Sequence, residues 1–296
     1  MASYVLTCCS TADLTKERLD ARGIKYVCFH FSIDGVEYDD DLWQTMRPQD
    51  LFNAMSNGAE TKTSQVSVGE YIDMFDPILQ EGKDILHVTL SSGISGTYNS
   101  AKIAVDEMRK KYPERKIYLV DSLGASSGYG LIMETLADFR DRGADIDSLY
   151  EWITKHRLNL HHWFFSTDLT FYIKGGRVSK TSGFLGNMLG ICPLLNMDNQ
   201  GKLIPREKII GKKRVIKRTI EKMAEYAKDG CDYDGKVFIC QSECMDDART
   251  LANLVKEKFP LMNGDPEIFS IGAVIGSHTG PGTVSLFFWG KKRKEE

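Results

Sequence analysis

The sequence predicts an α/β protein of two α/β domains, the first built on a mostly parallel sheet, and three observations predict it. The first half alternates short apolar runs with longer helical patterns, the signature of successive β-α units. Two of those apolar runs end in Ser-rich loops that open helices, and in open parallel sheets ligands sit at such carboxyl ends of strands. The chain of 296 residues exceeds the size at which one hydrophobic core stops growing, and its character changes near residues 157–165. The expected domains are therefore 1–157 and 158–296.

Element by element, residues 4–7 open as a strand, 14–22 read as a helix that Gly23 stops, and 26–31 form the next strand. The pair Asp34-Gly35 between β-type residues predicts a small hairpin. Helical patterns cover 48–55 and 68–79. Residues 85–90 are a compact apolar strand, followed by a Ser/Gly loop and a helix to about residue 110. The same plan repeats with a strand at 117–120, the loop from Asp121-Ser122, and a helix around 131–139. In the second half, strands are expected at 163–167, 192–197, 203–205, 237–240, 267–271 and 284–289, with helices at 169–173, 213–226 and 246–259. Lys174-Gly175-Gly176-Arg177 reads as a turn needing unusual backbone angles.

Composition narrows the function. With 42% hydrophobic and 27% charged residues the chain should fold throughout. A net charge of -3 provides no global positive field for nucleic acid or an anionic membrane. The first residues reach charge too quickly for a signal peptide and no apolar run is long enough to span a bilayer, so a cytoplasmic protein is expected. Seven cysteines, an odd number, suit thiols better than a disulfide framework. Cys240 and Cys244 lack a second ligand pair and His161 and His162 are merely adjacent, so no metal site is expected.

The polar residues that could act together lie in three segments read as loops: Thr63-Ser64-Gln65, Ser91 to Ser95, and the Gly-rich stretch around His278. A helix start near Ser95 leaves backbone N–H groups free, and the hydroxyls of Thr63 and Ser92 with the imidazole of His278 would add donors for one carboxylate or phosphate. Ser and Thr are also the preferred helix caps, which is the plainer meaning of each loop alone. A Ser/His hydrolase acting on a lipid-like ester is the rival reading, but Gly93-Ile94-Ser95-Gly96 lacks one residue of the nucleophile-elbow spacing. The basic run Lys208, Lys212, Lys213, Arg214, Lys217 and Arg218 has no interleaved aromatics, as nucleic-acid binding would favour.

Thr63-Ser64-Gln65, Ser91-Ser92-Gly93-Ile94-Ser95-Gly96-Thr97-Tyr98, Asp121-Ser122, Lys174-Gly175-Gly176-Arg177 and Gly276-Ser277-His278-Thr279-Gly280-Pro281-Gly282, in that order, closely resemble the DegV family. The resemblance spans essentially the whole chain. It implies two α/β domains with the ligand between them, a bound long-chain fatty acid, and a bacterial carrier rather than an enzyme. It further implies presentation of the acid to a separate fatty-acid kinase subunit, which makes an acyl-phosphate for phospholipid synthesis. ATP and magnesium would belong to that kinase, and no cofactor to this chain. A lipid-responsive interaction protein without a kinase is the remaining alternative. By the same resemblance Thr63, Ser91, Ser92, Ser95 and His278 bind the carboxylate. Two positions depart from the family's usual pattern: Val66 stands where Pro is common, and Cys9-Ser10-Thr11 where Asp-Ser-Thr is common.

An alkyl tail would need an apolar tunnel, for which Phe164, Phe171, Phe184, Leu185, Met188 and Leu189 are candidates alongside Phe165 and Leu169. Arg177, Lys212 and Arg214 are the expected residues for docking the kinase or meeting the developing acyl-phosphate.

Overall fold

The computed structural model describes residues 3–179 and 190–293. In chain order its elements are β1 (Tyr4–Cys9), α1 (Lys16–Ala21), β2 (Ile24–Val27), β3 (His30–Ile33), β4 (Val36–Asp39), α2 (Pro48–Ser56), β5 (Thr61–Ser64), α3 (Val68–Gln80), β6 (Asp84–Thr89), α4 (Thr97–Lys111), β7 (Ile117–Asp121), α5 (Ser126–Asp141) and α6 (Ile146–His156). They continue with β8 (Leu160–Phe165), α7 (Thr170–Lys174), β9 (Ile191–Met197), β10 (Leu203–Ile210), α8 (Lys212–Tyr226), β11 (Phe238–Gln241), α9 (Met245–Lys258), β12 (Glu267–Ser270), α10 (Ala273–Thr279) and β13 (Val284–Trp289).

The protein is α/β, as expected. Strands β2-β1-β6-β7 form a wholly parallel sheet, and β10-β9-β8-β13-β11-β12 form a mixed one. Strands β4-β3-β5 make a small antiparallel sheet beside the first. β1 reads Tyr-Val-Leu-Thr-Cys-Cys and is buried along almost its whole length, which is what a central parallel strand covered on both faces requires.

Helices α3 and α4 cover one face of the parallel sheet, and α5 with α6 covers the other. The far side of α5 packs against β8, β11 and β13 of the mixed sheet, whose outer face carries α8 and α9. One hydrophobic cluster therefore runs from Leu6 and Val88 through Tyr129, Ile132 and Leu136 of α5 to Phe238 and Phe287. Tyr129 fastens the helix by donating to the Val88 carbonyl at 2.5 Å and accepting from the Cys9 N–H at 2.8 Å.

Local chemistry sets several boundaries. Ser67 and Glu70 form a reciprocal capping box at the start of α3. Thr15 caps α1 and Asp145 caps α6, each accepting a backbone N–H. The expected strand over 26–31 is instead split between two sheets. At the break the Phe29 N–H donates to the Ser10 hydroxyl and the Phe29 carbonyl accepts from the Asp40 N–H, so the backbone leaves the parallel ladder there. Thr61–Ser64 is a strand paired with β3 rather than a loop, and the glycine-rich stretch before β13 is the helix α10. Although it lies among the strands of the mixed sheet in sequence, α10 packs on α2, β3 and β5.

Candidate functional site

Where α10 meets the small sheet and the Ser-rich turns, a cavity of about 380 Å³ opens between the two large sheets. Its polar end is built from four separate segments. β5 alternates: Lys62 and Ser64 are exposed, Ser64 where it also borders the cavity, while Thr61 and Thr63 face α10. Thr63 Oγ1 lies 2.7 Å from His278 Nε2. Burial, with the nearby Arg177 charge adding to it, pushes the His278 pKa down to about 3, so the ring is neutral at physiological pH. With its proton on Nε2 the ring donates to Thr63 and leaves the Thr63 O–H free to donate into the cavity. Nδ1 has no partner among the described residues.

The turn predicted at Lys174 to Arg177 explains its glycines. A Cβ on Gly175 would lie 2.3 Å from His278 Nδ1, and Gly176 has φ +73°. That turn delivers Arg177 into the cavity wall rather than to an outer surface. Its guanidinium is half-buried and donates to the Gly175 carbonyl at 2.6 Å; burial pushes its pKa down, and no acid pairs with it among the described residues. Gln65 and Ser95 complete this end. Gln65 donates to Ser100 at 2.9 Å and lies so close over Gly96 that a Cβ there would sit 2.4 Å from its carbonyl oxygen.

The Ser-rich turn divides its labour. Ser95 lines the cavity, Ser92 lines only an adjoining mouth shared with Arg177, and Ser91 reaches neither. The fully buried Ser91 hydroxyl donates to the Gly201 carbonyl at 2.8 Å and accepts from the Gly93 N–H, fixing the turn against the β9–β10 hairpin. Asp121 holds the same turn through the Ser92 N–H at 3.1 Å.

The remaining wall is mainly apolar, with Phe29, Leu90, Ile94, Phe164, Met197, Leu203 and Phe287 facing inward. Ile271, Val274, Ile275 and His278 also line it, the spacing of one helical face, so α10 runs along the cavity. Of the expected tunnel residues, Phe164 is in the lining. Phe165 and Leu169 are buried in clusters outside it, and Phe171 packs against Gly280 instead. Phe184, Leu185, Met188 and Leu189 lie outside the described residues. Lys212 is ion-paired with Asp247 at 2.6 Å on the outer helices, and Arg214 is exposed near it; neither lines the cavity.

Sequence reasoning overlooked Ser126, although a signal was present. Gly124-Ala125-Ser126-Ser127-Gly128 has the nucleophile-elbow spacing, follows a strand, opens a helix, and places Ser126 at φ +55°. The rest of a hydrolase is not assembled around it. The Ser126 hydroxyl donates to Asp13 at 2.5 Å, and His162 Nε2 is occupied by the Ala125 N–H at 3.1 Å. No serine is hydrogen-bonded to a histidine among the described residues. Likewise no group of three or more His, Cys, Asp or Glu that could hold a metal occurs among them, and Cys244 donates to the Thr283 carbonyl. No helix among them is long and apolar enough to cross a membrane.

The model of the family described as "Uncharacterised protein, DegV family" matches residues 7–291. The chain belongs to the DegV family. A DegV domain-containing protein of Clostridium perfringens is 34% identical over 99% of this chain and all of its own length. Among solved structures, a Thermotoga maritima protein described as revealing fatty-acid-binding function is 26% identical, with a TM-score of 0.84 over 98% of this chain and all of that one. The Streptococcus pneumoniae Fatty Acid Kinase B3 protein, loaded with linoleic acid, shares the fold at 21% identity, with a TM-score of 0.83 over 98% of this chain and all of that one.

Proposed function

We propose that this DegV protein binds a long-chain fatty acid in the cavity beside α10 and presents its carboxyl group to a separate kinase subunit for conversion to an acyl-phosphate. The observation that carries the first half is Arg177, a desolvated guanidinium without an acidic partner among the described residues, beside Thr63, Ser95 and neutral His278. An unpaired cation in a mainly apolar cavity is expensive unless an anion completes it, and a carboxylate would do so. Arg177 thus belongs to the head-group site in this reading, not to an outer docking patch. The apolar wall would take the alkyl tail, each buried methylene contributing about 0.8 kcal/mol. Residues 1–157 would supply Thr63 and the Ser-rich turn, and residues 158–296 would supply Arg177, His278 and much of the tail wall.

The kinase half rests on the family resemblance, supported by a shared fold with the pneumococcal protein. In this reading the chain makes no acyl-phosphate alone, and nucleotide and magnesium stay with the partner.

Native mass spectrometry of freshly purified protein, followed by denaturation and extraction, tests the lipid reading. A stoichiometric fatty acid whose occupancy falls in Thr63→Val and Arg177→Ala is the expected result. An empty protein that also refuses added fatty acids of all lengths would overturn it.

A further inference from the structure

We infer that the cavity is built for an acyl chain carrying a hydroxyl group in its middle, held by Ser126 and Ser285. This rests on the fatty-acid reading above and narrows the ligand within it.

Both side chains line the same cavity, in a stretch otherwise walled by Ala125, Ile271, Phe287 and the neutral His162 ring that packs edge-on against Phe287. Ser285 on β13 sits directly opposite Cys240 on β11, and Cys240 Sγ is 3.4 Å from Ser126 Oγ. Opposed Cα atoms in an antiparallel pair are only about 4.5–5.5 Å apart, so the two hydroxyls flank one point of the cavity wall.

Their hydrogen-bonding needs are complementary. Ser126 spends its single proton on Asp13, which leaves its oxygen able to accept. The Ser285 hydroxyl has no hydrogen-bond partner among the described residues and can donate. A ligand hydroxyl would donate to Ser126 and accept from Ser285. A plain alkyl chain would take the Ser285 hydroxyl out of water without a partner and leave the accepting side of Ser126 unused.

The depth of this pair follows from α10. Asp13, the Ser126 partner, abuts Gly272 at the helix start, where an added Cβ would lie 2.3 Å from Asp13 Oδ1, whereas His278 lies in the helix's last turn. Six residues of helix advance about 9 Å. An extended chain advances about 1.2 Å per bond, so the hydroxyl belongs roughly seven or eight bonds from the carboxyl carbon.

Calorimetric titration of delipidated protein with octadecanoic acid and with the same acid hydroxylated at about carbon 9 tests the inference. The hydroxy acid should bind about tenfold more tightly, equivalent to about 1.4 kcal/mol. Ser285→Ala, and Ser126→Gly, which keeps the left-handed backbone, should each abolish that preference while retaining the plain acid, and Ser285→Ala should also retain the melting temperature. Equal or weaker binding of the hydroxy acid, with the plain acid still bound, overturns this inference and leaves the fatty-acid reading standing. Failure of both acids to bind overturns both. A preference that survives in both variants overturns the assignment of these two residues.

Discussion

At the residue scale, the head of the cavity depends on one glycine as much as on any polar group. Gly175 lets backbone pass against His278, so Gly175→Ala should displace the imidazole from Thr63. Weakened fatty-acid binding with a nearly unchanged melting temperature is expected, and wild-type affinity in this variant would show that the contact is dispensable. Arg177→Ala should weaken binding about tenfold to a hundredfold, the range for losing one charge-assisted hydrogen bond, read by calorimetry. Arg214→Glu should leave lipid affinity unchanged and slow phosphorylation by the cognate kinase; an unchanged rate would remove Arg214 from docking. Thr63, Ser95 and His278 were visible in the sequence because their motifs are local. Which serine of the turn faces inward was not, since that depends on the Gly201 carbonyl, contributed by a hairpin about 110 residues away.

At the element scale, α10 joins the two polar stations of the cavity, and its start is held by buried acids. Asp40 accepts from the Ala273 N–H and from Ser10, and burial pushes its pKa up to about 6. Burial and the Asp40 charge also push Asp13 well up. For Asp40 the sign is the reverse of a salt-bridged carboxylate. Between about pH 4 and pH 6 the folded state holds the proton more tightly than the unfolded state, so this group's contribution to stability falls as pH rises through that window. The cost above pH 6 is at most about 3 kcal/mol. Asp40→Asn should flatten the pH dependence of urea unfolding across that range; an unaltered slope would mean that Asp40 ionises normally. The helix itself escaped sequence reading because Gly272, Gly276 and Gly280 resemble loop punctuation, whereas Phe52 and Phe171 require glycine at the last two for close packing. β5 was missed for a related reason: four polar residues carry no apolar alternation, and only pairing with β3 makes them a strand.

At the scale of the whole molecule, the parallel sheet and its covering helices were legible because each carries its own periodicity. The stacking of the two sheets was not, because an amphipathic pattern does not say which partner a helix will meet. Packing on both faces of the sheets also buries histidines, His87 beneath α3, His161 beneath α8 and His162 against the start of α5. His87 and His278 are pushed to about 3 and His161 to about 4, while His162 is driven well down, in each case chiefly by burial. Below pH 6.5 the unfolded chain takes up protons that the folded one refuses, so stability from these groups is lost as pH falls. One unit below, each costs about 1.4 kcal/mol, and four together rival a typical stability of about 5–15 kcal/mol. The opposing contribution of Asp40 recovers only part of this. Far-ultraviolet circular dichroism should therefore show cooperative acid unfolding centred near pH 5, and a native spectrum persisting at pH 4 would contradict this account.

Helix α5 has a further consequence, for synthesis. Its last residue, Asp141, leaves the ribosome long before Trp289 completes the mixed sheet that covers its far side. At about 5–20 residues per second, the intervening stretch of roughly 150 residues takes on the order of ten to thirty seconds. For that interval the nascent first half displays a bare apolar helix face, a natural target for a ribosome-associated chaperone. A stop codon placed just after α6 should make that exposure permanent and send the truncated product into aggregates.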